Sequence, residues 1–474
     1  MNPTVQHQLS APGKGLFLLE RLRTWKLSTT PGIVLFFAAH IPLALLMMSF
    51  PAVSTAHAAL TMLLGLWYGL VNTKPERVAY VVAYVIGAEC LWRMTQAMIF
   101  WEFGKYALIT ILLAAIVKSG RLRGPVWAVF YFLLLLPSLV VPMANVSESQ
   151  FLNQISFNLS GPLALAVSTW FFSGLEFTQT QMKRLFLALI GPVVGIAVIT
   201  LFDTLSATTI YFTNNSNFIT SGGFGPNQVS AILGLGALVA FLLIFDQRSA
   251  QGFRLVMVAL FLTLGIQCAL TFSRGGIYTA GGAAAVATFY LIRQPRARLK
   301  VLGGILVLVL VGNFLILPAL DSFTEGALTK RFTNTKLTGR DRLIMADFQA
   351  WSENPLFGVG PGQAKSYRQS FRANTSAHTE FSRVLAEHGI FGLIATLLLI
   401  FSAAQYLIRA RAGVEKAFTG AMICWSILYT LTAAMRLAAP AFTFGLAAIR
   451  IVPDPEPEPI AARENATHPG SARW

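Results

Sequence analysis

A succession of long apolar runs constrains this chain more than any motif in it. Runs at 32–50, 55–72, 78–92, 97–117, 124–143, 161–175, 185–202, 228–245, 252–272, 275–292, 300–320, 389–408, 417–435 and 437–451 follow one another through 474 residues. A helix crosses the hydrocarbon core in roughly 20 residues, so the pattern predicts about 12–14 spans. Charged residues make up 12% of the chain, against about 25% in soluble domains. A soluble enzyme and a disordered chain are thereby excluded. A membrane barrel is excluded too, because it needs short alternating segments instead of continuous apolar blocks. The predicted fold class is all-α, a polytopic membrane helix bundle. Pro440 interrupts the last run, which reads either as a span or as a re-entrant or interfacial piece.

The net charge of +16 would suggest nucleic acid in a soluble protein, but membrane proteins concentrate Lys and Arg in cytoplasmic loops. No nucleic-acid partner is expected. Basic residues recur at every second loop: Lys14 to Lys26, Lys74 and Arg77, Lys118 to Arg123, Lys183 and Arg184, Arg248 and Arg254, Arg293 to Lys300, and Arg409 to Lys416. The intervening segments 144–160 and 203–226 hold neither Lys nor Arg. This alternation predicts a cytoplasmic N-terminus. The polar start shows no cleavable signal pattern, so the first apolar run is expected to stay as a span. Cys90, Cys268 and Cys424 all lie in apolar runs and read as packing residues, with no disulfide framework and no metal spacing.

Residues 321–388 break the pattern with nine Lys or Arg and seven Asp or Glu. Loops this long escape the charge-bias rule, and they usually carry function. The expected organisation is a cytoplasmic segment 1–31, a transmembrane bundle 32–320, a large extracytoplasmic helical loop 321–388, C-terminal transmembrane helices 389–451 and a disordered tail 452–474. Helix-like stretches fall at about 340–353 and 376–388.

The chemistry-bearing residues gather in and around that loop. Gly222-Gly-Phe-Gly-Pro-Asn-Gln228 leads into one span, and Thr271-Phe-Ser-Arg-Gly-Gly276 turns between two others. Within the loop lie Thr338-Gly-Arg-Asp-Arg-Leu343, Trp351-Ser-Glu-Asn-Pro-Leu-Phe-Gly-Val-Gly-Pro-Gly362, and Ala377-His-Thr-Glu-Phe-Ser-Arg-Val-Leu-Ala-Glu-His-Gly-Ile-Phe-Gly392.

At these residues the sequence resembles the O-antigen ligase and polymerase superfamily of bacterial membrane glycosyltransferases. The likeness runs over roughly residues 205–410. It rests on an Arg in a Ser-Arg-Gly turn, a Gly-Arg before a helix, a Pro-Leu-Phe-Gly-Val-Gly element and an Ala-His helix ending in Glu-His-Gly-Ile-Phe-Gly. Thr379 departs from the pattern, since the family often carries Asn after the His. The resemblance implies transfer of a glycan from a polyprenyl-diphosphate carrier to an acceptor glycan or glycolipid at the extracytoplasmic face of the bacterial inner membrane. It implies envelope polysaccharide assembly proteins as further partners, and it leaves polymerase and ligase open.

The residue types suit that chemistry. Transfer expels an anionic lipid diphosphate, so fixed positive charge is needed where negative charge develops. Arg stays protonated and grips phosphate oxygens with a planar fork. Arg274, at the membrane surface, and Arg340, reaching from the loop, are the candidate catalytic cations; Arg342 is a candidate substrate contact or a solvated charge. His378 is the candidate general base or hydrogen-bond orienter for the acceptor hydroxyl. Asn227 and Gln228 bind glycan or cap the following helix. The amides around Gly360 either form a tight turn or approach a sugar or phosphate.

Glu380, Arg383 and Glu387 share a helix face and read as a salt-bridge ladder, with Glu380 also a candidate substrate contact. His378, Glu380 and His388 lack a third ligand at zinc spacing, so neither a metal nor another cofactor is expected. Glu89 with Arg93, and Glu102 with Lys105, are charges within apolar runs, where either function or a neutralising pair accounts for them. Gly191-Pro-Val-Val-Gly195 reads as a helix-packing face. A secondary transporter or lipid-linked glycan flippase is the competing class; it predicts inverted repeats, and the two halves show none. A non-catalytic scaffold of the envelope machinery is the third class.

Overall fold

The computed structural model describes residues 29–71, 74–120, 124–141, 147–246, 248–334, 339–369 and 377–455. The basic N-terminal residues Lys14 to Lys26, Arg121, Arg123, Thr338 and the tail beyond 455 lie outside the described residues. The architecture is an all-α polytopic bundle with almost no strand.

Prolines mark many of the helix starts, as expected where the missing N–H has no intrahelical partner to lose. Helices α1 (Thr30–Ser49), α2 (Pro51–Leu70) and α3 (Pro75–Met94) all carry Pro in the first turn. Then come α4 (Phe103–Lys118), the short α5 (Val126–Leu133) and α6 (Glu148–Phe172). Strand β1 (Glu176–Thr178) leads into α7 (Gln179–Ser206), whose Thr178 and Gln181 form a capping box. Next in the chain are α8 (Pro226–Ile244), α9 (Gln251–Leu270), α10 (Arg274–Leu291) and α11 (Pro295–Val311), the last running on through a π-turn into α12 (Leu317–Phe323).

Burial sorts these helices into layers. The α8 window is 83% buried and occupies the centre, whereas Ala297–Phe323 is only 6% buried and lies against the outside. Glycines allow the closest approaches. Gly191 and Gly195 on α7 face Phe36, His40 and Ala44 of α1, so the predicted packing face is present.

Eight described helices are long and apolar enough to span a bilayer. The lower end of the expected 12–14 is reached only by adding α3, α4, α10 and α17 (Val414–Thr432), which are shorter or more polar. The apolar run 437–451 is not a helical span. It forms α18 (Ala439–Leu446), 8 residues long and buried throughout. Such a helix is about 12 Å long, well short of a hydrocarbon core of about 30 Å. Its hydrophobicity serves packing inside the protein. Strand β2 (Arg450–Val452) then pairs in parallel with β1, and Asp454 holds Arg248 at 2.9 Å.

The charged loop is helical, with α13 (Ala327–Thr333), α14 (Arg340–Glu353) and α15 (Lys365–Gln369). Helix α14 falls where 340–353 was expected. The second expected helix does not stop at 388: it continues as α16 (Glu380–Arg409), bent at Gly389 with φ 59°. The turn 355–360 docks into that bend. Ile390 donates to Pro355 O at 2.8 Å, and the amides of Val359 and Gly360 donate to Ala386 O and Glu387 O. A Cβ on Gly389 would stand 2.4 Å from Leu356 O, so the bend requires glycine.

Candidate functional site

The Ser-Arg-Gly turn is bolted to the central helix. Ser273 Oγ donates to Asn227 Oδ1 at 2.8 Å, and the Gly276 amide donates to Ser230 Oγ at 3.0 Å. A Cβ on Gly276 would meet Ser230 O at 2.1 Å, so only glycine lets α10 approach α8 this closely. Arg274 is thereby fixed as the first residue of α10, and its guanidinium donates to Asn334 O just beyond α13.

Two more arginines converge on it. Arg331 is buried; its Nε donates to Phe272 O at 2.9 Å and its Nη1 to Asn214 O at 2.6 Å. Arg340 opens α14 after Gly339, whose φ is 80°. Burial, and then the nearby Arg274 charge, push the Arg340 guanidinium below its ordinary range. Burial acts likewise on Arg331, followed by Arg274 and Arg340. Like charges gathered in partly desolvated surroundings cost free energy until an anion joins them. Among the described residues no carboxylate pairs with Arg331 or Arg340.

An apolar groove reaches α13, the helix that carries Arg331. It has a volume of ≈ 960 Å³ and runs between α8, α9, α10 and the outer α11–α12 helix. Its far end is lined by Leu328, Thr329, Phe332 and Thr333 of α13.

His378 is half-buried immediately before α16. The carbonyl of the preceding Ala377 accepts from Arg436 Nη2 at 3.2 Å. The following Thr379 caps α16, accepting the Ser382 amide at 3.1 Å, a role open to Thr as to Asn. Thr379 and Leu431 line a small apolar cavity of ≈ 320 Å³ with Ile344 and Phe348, which are one and two turns along α14 from Arg340. Thr432, next to Leu431, stands 3.8 Å from where a Cβ on Gly275 would lie. The end of α17 thus lies beside both the Arg274 turn and the start of α16 that follows His378, and α14 reaches both.

The other candidate residues divide. Asn227 holds the Arg274 turn through Ser273. Gln228 faces elsewhere, its Oε1 accepting from Arg93 at 2.7 Å. Arg342 is exposed, on the side of α14 away from Arg340. The Gly360 amide is used in the turn that docks on α16.

Glu380 is buried and takes a forked pair of bonds from Arg383, 2.5 and 3.0 Å long, while also accepting the Met435 amide at 3.0 Å. Arg383 reaches Glu387 at 2.7 Å as well, so the predicted ladder exists, but inside the protein. The pairs Glu89–Arg93 and Glu102–Lys105 are also present and buried.

Arg331 was not singled out from sequence. Beside Lys330 it reads as one more loop cation; only the fold buries it against the Arg274 turn.

Residues 258–397 match the family model described as O-antigen ligase. Over this stretch the chain is similar to the O-antigen ligase family. The O-antigen ligase match encloses Arg274, Arg331, Arg340 and His378, whereas Asn227 and Gln228 lie outside it. A comparison with curated proteins gave no match.

Proposed function

We propose that this membrane protein transfers a glycan from a polyprenyl (undecaprenyl) diphosphate carrier to a sugar hydroxyl on the extracytoplasmic face of the bacterial inner membrane, with its N-terminus in the cytoplasm. The observation that carries this reading is the junction of a three-arginine cluster with an apolar groove of ≈ 960 Å³ on one short helix, α13. In this reading the isoprenoid chain lies in the groove and the diphosphate meets Arg274, Arg331 and Arg340, which α13 brings beside it.

In the transfer, the acceptor oxygen attacks the anomeric carbon and the bond from that carbon to the phosphate oxygen breaks. The electron pair leaves with the diphosphate, whose growing charge the guanidiniums stabilise. The acceptor proton goes to His378, acting as general base, or His378 orients the hydroxyl for the same step. The arginines supply the charge that a divalent metal supplies in other glycosyl transfers, so no metal is required by this scheme. Both ligation and polymerisation follow from it, differing only in the acceptor.

The test is transfer by the purified protein from a lipid-linked glycan, with Arg274→Ala and His378→Ala alongside. Product that forms with the wild type and persists in chelator supports the reading. A wild-type protein that binds the lipid donor yet forms no conjugate or polymer with any acceptor would sink it.

A further inference from the structure

A second cavity is lined by Ala377 and Glu380 on either side of His378 in the chain, and nothing above uses it. It measures ≈ 390 Å³, within the size of small-molecule sites. Helix α6, the 362–368 turn, the start of α16 and the 434–436 segment wall it. Its chemistry has three parts. Phe157 presents an exposed ring. Asn153 and Gln154 on the same helix face offer side-chain amides, which donate and accept as sugar hydroxyls require. Lys365, Arg368 and Arg436 bring positive charge.

The charge does not cancel locally. Arg383 spends its guanidinium on Glu380, Glu387 and Asn158. Arg368 donates from Nε to Asp347 at 2.6 Å, but its Nη2 has no hydrogen-bond partner, although the side chain is only 3% exposed. The nearest acid to that nitrogen is Glu387, 3.9 Å away and already engaged. Among the described residues Lys365 and Arg436 have no carboxylate partner. Arg436 is shifted below its ordinary range by burial and is faced by Tyr429, Arg368 and Glu380. The cavity thus presents an unmet guanidinium nitrogen flanked by two cations, which is an anion's place.

We infer that this cavity binds the acceptor as an acidic sugar, its ring against Phe157 and its anionic group between Arg368, Lys365 and Arg436. The inference rests on the transferase reading for the word acceptor, while the binding site stands by itself. Ala377 lines the cavity, and Arg436 donates to its carbonyl. A sugar seated there lies beside Ala377, the neighbour of His378. A carboxylate and a phosphate present the same chemistry to these cations, so the probes must separate them.

The experiment measures binding of a glucuronate disaccharide, a hexose phosphate and a neutral disaccharide to the full chain in lipid nanodiscs. The acidic probe that fits should bind about tenfold or more tightly than the neutral one. Lys365→Gln and Arg436→Gln should each erase most of that preference, leaving farnesyl diphosphate binding and thermal unfolding unchanged. Equal binding of acidic and neutral sugars, or a preference that survives both substitutions, would overturn the inference. Transfer assays keep the two readings apart. Acidic-sugar binding without transfer from any lipid-linked donor leaves the cavity standing and removes the transferase reading. Transfer to neutral acceptors at an undiminished rate, with no acidic preference, does the reverse.

Discussion

Arg331 donates from Nε to the carbonyl oxygen of Phe272 at 2.9 Å. Phe272 has φ 56°, a left-handed conformation that costs a bulky residue of order 1 kcal/mol or more. The loop helix α13 is thus held on the one irregular turn that aims Arg274. Arg331 plays two parts at once, one in placing that turn and one in adding charge beside it.

Arg331→Lys should therefore fail where a simple point charge would suffice, because Lys cannot reach both Phe272 O and Asn214 O. We expect a fall in transfer rate of about 100-fold, close to that of Arg331→Ala. Arg342→Ala, on the exposed side of α14, should stay within about twofold of wild type. Parallel rate measurements at matched expression check both; a fully active Arg331→Lys would reduce Arg331 to a surface cation.

Arg274 and His378 should separate by what they lose. Arg274→Ala and Arg274→Lys should both weaken lipid-diphosphate binding and lower transfer by about 100- to 1,000-fold, or roughly 3–4 kcal/mol. His378→Ala should lower turnover by about 100-fold with donor binding kept. Titrating farnesyl diphosphate against each variant distinguishes the roles. Loss of that binding in His378→Ala would move His378 into the diphosphate site.

Glu380→Gln should act on stability. It leaves Arg383 buried with one carboxylate instead of two, at a cost of about 3 kcal/mol. Thermal unfolding in detergent should shift downward, and residual transfer per folded molecule should stay near wild type. An unchanged unfolding temperature with transfer abolished would make Glu380 a substrate contact instead.

Topology is checked by accessibility labelling of cysteines placed at positions 365 and 411. The distribution of basic loops predicts labelling of 365 from outside and of 411 from the cytoplasm. Position 365 reacting only from the cytoplasm would remove the proposed extracytoplasmic transfer.

Much of the helical architecture was legible because apolar length is a direct signature of a bilayer crossing. It left 437–451 open between a span and a re-entrant piece, since an apolar run reads alike whether lipid or protein surrounds it. Helix α18 is buried on every side, and its neighbours include Ser168 and Thr169, whose backbone crowds Gly445. In the candidate site, Arg274 and Arg340 stood out through the motifs around them. Arg331, Arg368 and Arg436 did not, because nothing adjacent in sequence distinguishes a buried cation from a solvated one. Gln228 sat beside Asn227 in the same motif, but the helical rotation between neighbours sends it to Arg93 instead.

The pairing of Glu176–Thr178 with Arg450–Val452 also sets an order of assembly. The edge at 176–178 stands without its partner while the intervening chain is being made and inserted. It is matched only after residue 452 has been synthesised, and Arg450 then joins the carbonyl of Leu175 at 3.0 Å. Long-range contacts of this kind form late. The corner between α6 and α7 is therefore closed by a strand from far along the chain, and a chain cut before Arg450 would leave it open however completely its helices had entered the membrane.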